Sequence, residues 1–254
     1  MQAGKEQERA QIPSDAAAAG HEAKWPWIGL ALTLAVSMVW WLWPEIDLWV
    51  AALFFSESCA CFPLAQSGNF ALLRWIDLAV MWAGRLALPV LVIGALLFPS
   101  WKALRGEACD RRAVWRNCMF MLALGLITPL FLIHEVLKKE VGRPRPRELV
   151  VFGGDKVFTP PWVITPRQCS SNCSFPSGHV AFPAWIMSAW HLGGRYRRRW
   201  LLGGAAGCLG VAALRIALGA HFLSDTLASV ALVWLSAWLL SRIPWWSNTA
   251  LRPA

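Results

Sequence analysis

The chain has 254 residues, 57% hydrophobic and only 15% charged, with 18 Trp, a single Tyr and a formal net charge of +9. With a mean hydropathy of +0.44, this balance excludes a soluble globular domain of this length and fits a polytopic membrane protein. The positive charge does not point to nucleic acid as a partner, because the basic residues fall in short loops between apolar runs, as the positive-inside rule expects.

Residues 1–24 are polar and Ala-rich with no fixed period, and read as a disordered tail that includes His21. The apolar run Trp27 to Trp43 follows. Its polar lead is too long for the charged region of a signal peptide, and no small-residue cleavage pattern comes after it, so it reads as a first transmembrane helix. Trp25, Trp27, Trp40, Trp41 and Trp43, with Trp245 and Trp246 near the other terminus, sit where an aromatic belt is expected. Ile46 to Phe55 reads as a short interfacial helix, and Ser56 to Gly68 as a loop carrying Cys59 and Cys61. Phe70 to Leu86 then holds Arg74, Asp77 and Arg85 among apolar residues. A charge at a bilayer centre costs about 2.5–3.5 kcal/mol. This segment is therefore placed at the interface or against other helices, and Leu86 to Phe98 completes the second span.

A basic loop, Lys102 to Arg116, leads into a third span from about Cys118 to Leu137, interrupted by Pro129; His134 and Glu135 near its end read as helix-end polar residues. The polar segment 138–176 opens with Lys138-Lys139-Glu140-Val141-Gly142-Arg143-Pro144-Arg145-Pro146. Its prolines force an extended path, and Arg and Lys suit phosphate oxygens. Alone, the stretch reads equally well as a basic patch for anionic lipid heads. Arg143 and Arg147 are candidates to touch a substrate head group. The segment closes on Asn172-Cys173-Ser174-Phe175-Pro176-Ser177-Gly178-His179, where the loop turns into the apolar run Val180 to Leu192. Pro and Ser there mark a helix start, whose unpaired N–H groups make an anion site. Gly178 would let the anion approach the backbone, with His179 beside it as a candidate acid or base. This fourth span covers about 177–192 and places His191 at its far end.

The loop Gly193 to Arg199 is again basic. The fifth span, about 200–218, has one charge, Arg215, near its end; a Gly219-Ala220 turn leads to the sixth, about 222–240. A cation within a span is a functional-site hypothesis by default. His221 and Asp225 are four apart at a helix start and share a face. A carboxylate bonded to one imidazole nitrogen leaves the other a better nucleophile. The structural alternative is a polar pair anchoring a helix end. Alternation of spans puts the two basic loops and both termini on the cytoplasmic side. Cys59, Cys61, Cys169 and Cys173 then lie outside, where disulfides persist, and a Cys169–Cys173 bridge would brace the loop before His179. Cys109, Cys118 and Cys208 are expected as free thiols.

Topology thus gathers three polar stretches at one face. Lys138-x6-Arg145-Pro146, Pro176-Ser177-Gly178-His179 and Arg215-x5-His221-x3-Asp225 resemble the three-part signature of the type 2 phosphatidic acid phosphatase superfamily, which includes vanadium haloperoxidases and acid phosphatases. One residue departs from the pattern: the family usually has Ser where Leu214 stands. The resemblance implies that His221 attacks phosphorus, Asp225 orients it, and His179 protonates the leaving oxygen and then activates water. Lys138, Arg145, Arg215, Ser177 and the Gly178 N–H would hold the phosphate, with fixed cations in place of a metal and no cofactor. It implies an all-α, six-transmembrane-helix bundle over 25–242, between tails 1–24 and 243–254, with its site at the extracytoplasmic face of a bacterial inner membrane. The expected activity is hydrolysis of a lipid phosphate or pyrophosphate. Undecaprenyl pyrophosphate, phosphatidic acid, phosphatidylglycerol phosphate and lipid A are candidate substrates, and the loop before Pro176 resembles that of bacterial lipid A phosphatases. A lipid phosphotransferase would use the same site. A transporter would instead want polar groups near the midplane, and the soluble haloperoxidases do not match so apolar a chain.

Overall fold

The computed structural model describes residue 35 and residues 38–66, 71–104, 110–165, 168–169 and 171–246. The expected tail 1–24, most of the first span, Cys109 and residues 247–254 of the expected second tail lie outside the described residues. Among the described residues all regular structure is helical, apart from two isolated bridge pairs, Ser56 with Cys61 and Leu149 with Lys156.

Helix α1 is Ile46–Ala52. Helix α2, Ala71–Leu104, is one continuous element. The charged segment, expected at the interface or against other helices, runs straight into the apolar half of the second span: Asp77 and Arg85 belong to this same helix, and Asp77 meets a partner on another helix. Helix α3, Arg111–Gly125, starts where the Asp110 carboxylate accepts from the N–H groups of Arg112 and Ala113, at 2.9 and 3.1 Å. It runs on as a π-helical segment, Leu126–Leu137, and one last α-turn, Lys138–Val141. Pro129 lies within the π segment. Proline offers no N–H and crowds the carbonyl four residues back, so a wider turn relieves it. Helices α4, Gly178–Met187, α5, Arg197–Ala217, and α6, Leu223–Ser241, complete the bundle.

Among the described residues, four segments are long and apolar enough to cross a membrane: Trp75–Phe98, Arg111–Glu148, Arg197–Ala217 and Leu223–Ser241. The expected fourth span is shorter than these, ten residues of α4 and a five-residue 3-10 turn, Ser188–Leu192. It is enclosed rather than lipid-facing. Val180, Ala181 and Ala184 of α4 are buried with Phe120, Leu124, Ile133, Val233 and Ala237. Small residues let the backbones close in. A Cβ on Gly204 would fall 2.5 Å from the Met187 Cα, and one on Gly125 2.6 Å from Leu88 Cδ2. The Trp185 indole donates to the Met121 carbonyl at 2.8 Å, so the buried N–H is satisfied.

A second cluster, Ala51, Phe62, Leu149, Phe152 and Phe222, packs the loops over one end of the bundle. Phe62 and Phe152 meet edge to face at 5.5 Å.

Candidate functional site

The site is assembled at that end, where α6 begins. Leu218 ends α5, and Gly219 takes a left-handed φ of +59° with the Phe62 ring packed against it. The turn is closed by Ala220 N–H donating to the Arg215 carbonyl at 3.0 Å, and by Arg147 N–H donating to the Gly219 carbonyl at 3.1 Å. Arg215 and His221 are thereby fixed relative to each other by backbone alone. His221 is fully buried. Its Nδ1 lies 3.6 Å from Asp225 Oδ2, an ion-pair distance but long for a hydrogen bond. Burial pushes the imidazole down to about 3, against the opposite pull of Asp225. Asp225 Oδ2 also accepts from Phe222 N–H at 2.8 Å and from the Ser174 hydroxyl, while Oδ1 accepts from Arg143 Nη1 at 2.5 Å. The carboxylate at the start of α6 also complements the helix dipole.

The stretch before α4 is stitched to the other two. Ser174 N–H donates to the Arg143 carbonyl at 2.8 Å, and Ser177 N–H to the Asp225 carbonyl at 3.2 Å. Ser177 is the N-cap of α4, and its hydroxyl is buried. Gly178 packs directly on His134: a Cβ there would lie 2.7 Å from Nε2. His134, read from the sequence as a helix-end polar residue, thus lines the site. Glu135 turns away and takes Lys139 in an exposed pair at 2.5 Å.

Lys138, Arg145 and Arg215 are all buried to within 7% exposure. Lys138 stands within electrostatic reach of Arg145, Arg215 and Asp225, and His179 within reach of Arg215, Lys138 and Arg145. Two anchors hold these cations. Asn172 accepts from Arg145 Nη2 and Nε through its carbonyl, at 2.8 and 3.2 Å, and from Lys138 Nζ through its side chain at 3.5 Å. Asn172 has φ +50°, a conformation Asn tolerates better than most residues. It sits inside the five-residue loop closed by the Cys169–Cys173 disulfide. Asp77 is the other anchor: Arg215 Nη1 donates to both its oxygens at 2.7 Å, and His179 Nε2 lies 3.8 Å from Oδ1. Among the described residues none partners Ser177 Oγ, Arg215 Nε or either ring nitrogen of His221, although all four atoms are buried. Such groups normally find a partner. Here they accompany three cations, an arrangement able to accept a tetrahedral oxyanion.

Sequence reasoning misses Asp77, Asn172, His134 and Asp47. It also misplaces Arg143, which does not face a head group but is wholly enclosed, bonded to Asp47 and Asp225. Arg147 remains exposed. Cys59 and Cys61 form a second disulfide, and Cys118 and Cys208 are free thiols.

Residues 115–249 match the family model described as "PAP2 superfamily". The chain is similar to the lipid A 4'-phosphatase of Rhizobium etli, 31% identical over 225 residues that cover 80% of this chain and 83% of that protein. It is 27% identical over 218 residues to the lipid A 4'-phosphatase of Francisella tularensis subsp. novicida, covering 84% and 92% of the two chains. A Rhizobium leguminosarum lipid A 4'-phosphatase is 29% identical over 224 residues, 79% of this chain and 90% of its own. No solved structure matches.

Proposed function

The chain belongs to the PAP2 superfamily, and on that premise we propose that it is a bacterial membrane phosphatase that removes the 4'-phosphate of lipid A. The observation that carries the reading is the set of buried, unpartnered groups, Ser177 Oγ, Arg215 Nε and the His221 ring, beside Lys138, Arg145 and Arg215. Three fixed cations and a helix N-terminus stabilise the charge on a transferring phosphoryl group.

In the first step His221 Nε2 attacks phosphorus. A P–N bond forms as the bond from phosphorus to the sugar oxygen breaks, and His179 gives that oxygen a proton. Asp225, held on the Nδ1 side, fixes the ring and stabilises the charge it gains. In the second step His179 takes a proton from water, whose oxygen attacks phosphorus; the P–N bond breaks and inorganic phosphate leaves. The Gly178 N–H, at the α4 N-terminus, and Ser177 Oγ donate to the phosphate. The reaction runs on these fixed cations without a metal ion. The site faces the periplasm and both termini the cytoplasm. The basic loops support this orientation, as do disulfides at the end of the bundle where the site lies. A reporter fused after Ala254 that reads as periplasmic overturns it.

The test is phosphate release from lipid A carrying both phosphates, by protein purified in detergent with EDTA present, with mass spectrometry to locate the phosphate lost. We expect release from the 4' position and none by His221→Ala. Turnover by His221→Ala, or loss from another position alone, refutes the proposal.

A further inference from the structure

Arg143 is the largest side chain wholly enclosed among the described residues. Its Nε donates to the Thr159 carbonyl at 2.8 Å, Nη1 to Ser224 Oγ at 2.8 Å and to Asp225 Oδ1 at 2.5 Å, and Nη2 to Asp47 Oδ2 at 2.8 Å. The guanidinium lies over the Phe222 ring at 4.1 Å. Asp47 in turn accepts from the N–H of Ser224 at 2.9 Å, so that α1 caps α6 from outside it, and from the Ser224 hydroxyl. Two carboxylates and one guanidinium with no exposure form a costly arrangement, and apolar residues of similar volume often serve a fold as well. What this one holds is Asp225 Oδ1. The other oxygen, Oδ2, takes Phe222 N–H and faces the His221 ring.

We infer that Asp47 and Arg143 are positioning residues of the reaction: they clamp Asp225 through Oδ1 so that Oδ2 fixes His221 with Nε2 towards the phosphate. This rests on His221 as the nucleophile. It extends the site to α1, which lies before the stretch 115–249 that the family model matches. The clamp never touches substrate, so its loss acts on turnover and leaves binding in place.

The variants are Arg143→Lys, which keeps the charge but cannot bond four partners at once, and Asp47→Asn, which keeps an oxygen for Ser224 N–H. Each is made in the full chain, purified in detergent and assayed on lipid A carrying both phosphates, with rates taken per molecule in the monodisperse fraction. We expect kcat to fall about 10–100-fold, the range for partners one shell out from a reacting group, while KM stays within about threefold. In 15N-histidine NMR the His221 signal, assigned by its loss in His221→Asn, shifts in both variants. Wild-type kcat and an unmoved His221 signal overturn the inference even if the variants melt lower, because the network then serves the fold alone. If Arg143→Lys does not fold, Asp47→Asn decides; failure of both to fold also overturns it. A wild-type chain that releases no phosphate refutes the proposed function instead, and the NMR shift then decides the clamp.

Discussion

Gly219→Ala should uncouple Arg215 from His221. The left-handed φ of +59° costs an Ala about 1–2 kcal/mol. The new Cβ would also stand 2.5 Å from Phe62 Cδ2, well inside van der Waals contact. Phe62 is 3% exposed and packed with Phe152 and Phe222, so its ring has little room to yield. Overpacking of that kind adds roughly 1–3 kcal/mol. The total, about 2–5 kcal/mol, falls on the turn that positions the two residues. Gly203→Ala is the control. Gly203 lies within α5 with no atom within 4 Å of its would-be Cβ, so Ala there should be neutral or stabilising by up to about 1 kcal/mol. Thermal melting in detergent and phosphate release should separate the two, with Gly219→Ala lower in both. Equal melting of the two variants with full activity would refute the reasoning, since neither the left-handed turn nor the Phe62 contact could then be as described.

Replacing Cys169 and Cys173 together by Ser loosens the loop that carries Asn172, the shared anchor of Lys138 and Arg145; KM for lipid A should rise several-fold with kcat less affected, as steady-state kinetics will show. Asp77→Asn takes the charge from the partner of Arg215 while keeping its shape, and should lower kcat/KM about 10–100-fold; an unchanged value removes Asp77 from the site. Stability should depend on acid through His221. Its folded value of about 3 lies below the ordinary histidine value, so the unfolded chain binds the proton more readily between the two. The stability that neutral His221 confers is present in full above about pH 6.5 and falls roughly tenfold in the folding equilibrium per pH unit as pH drops towards 3. Melting of wild type against His221→Asn from pH 7 to 4 measures this, and parallel curves would contradict it.

The three polar stretches are legible because each contradicts its surroundings. Lys, Arg and His beside apolar runs are expensive in a membrane, and their spacing around Pro, Ser and Gly marks helix ends where anions bind. The second, third, fifth and sixth expected spans are legible too, since apolar length signals them. Partners are another matter. Arg143 and Arg145 are the same residue type two positions apart, yet one is sealed against Asp47 and Asp225 while the other turns to Asn172. Local sequence cannot separate them, because the difference lies in residues 82 and 96 positions away in the chain. Asp77 reads as an awkward charge that must be shielded, and only the packing of α2 near α5 makes it the anchor of Arg215. The enclosed α4 has the composition of a span but is shorter than the four long helices, and its enclosure comes from the glycines that bring α5 onto it. By itself the sequence determined which groups carry charge into an apolar chain, because that cost is local. Only the tertiary structure decided which charge answers which, because pairing depends on contacts that close long loops, and their energy appears only once the helices are packed.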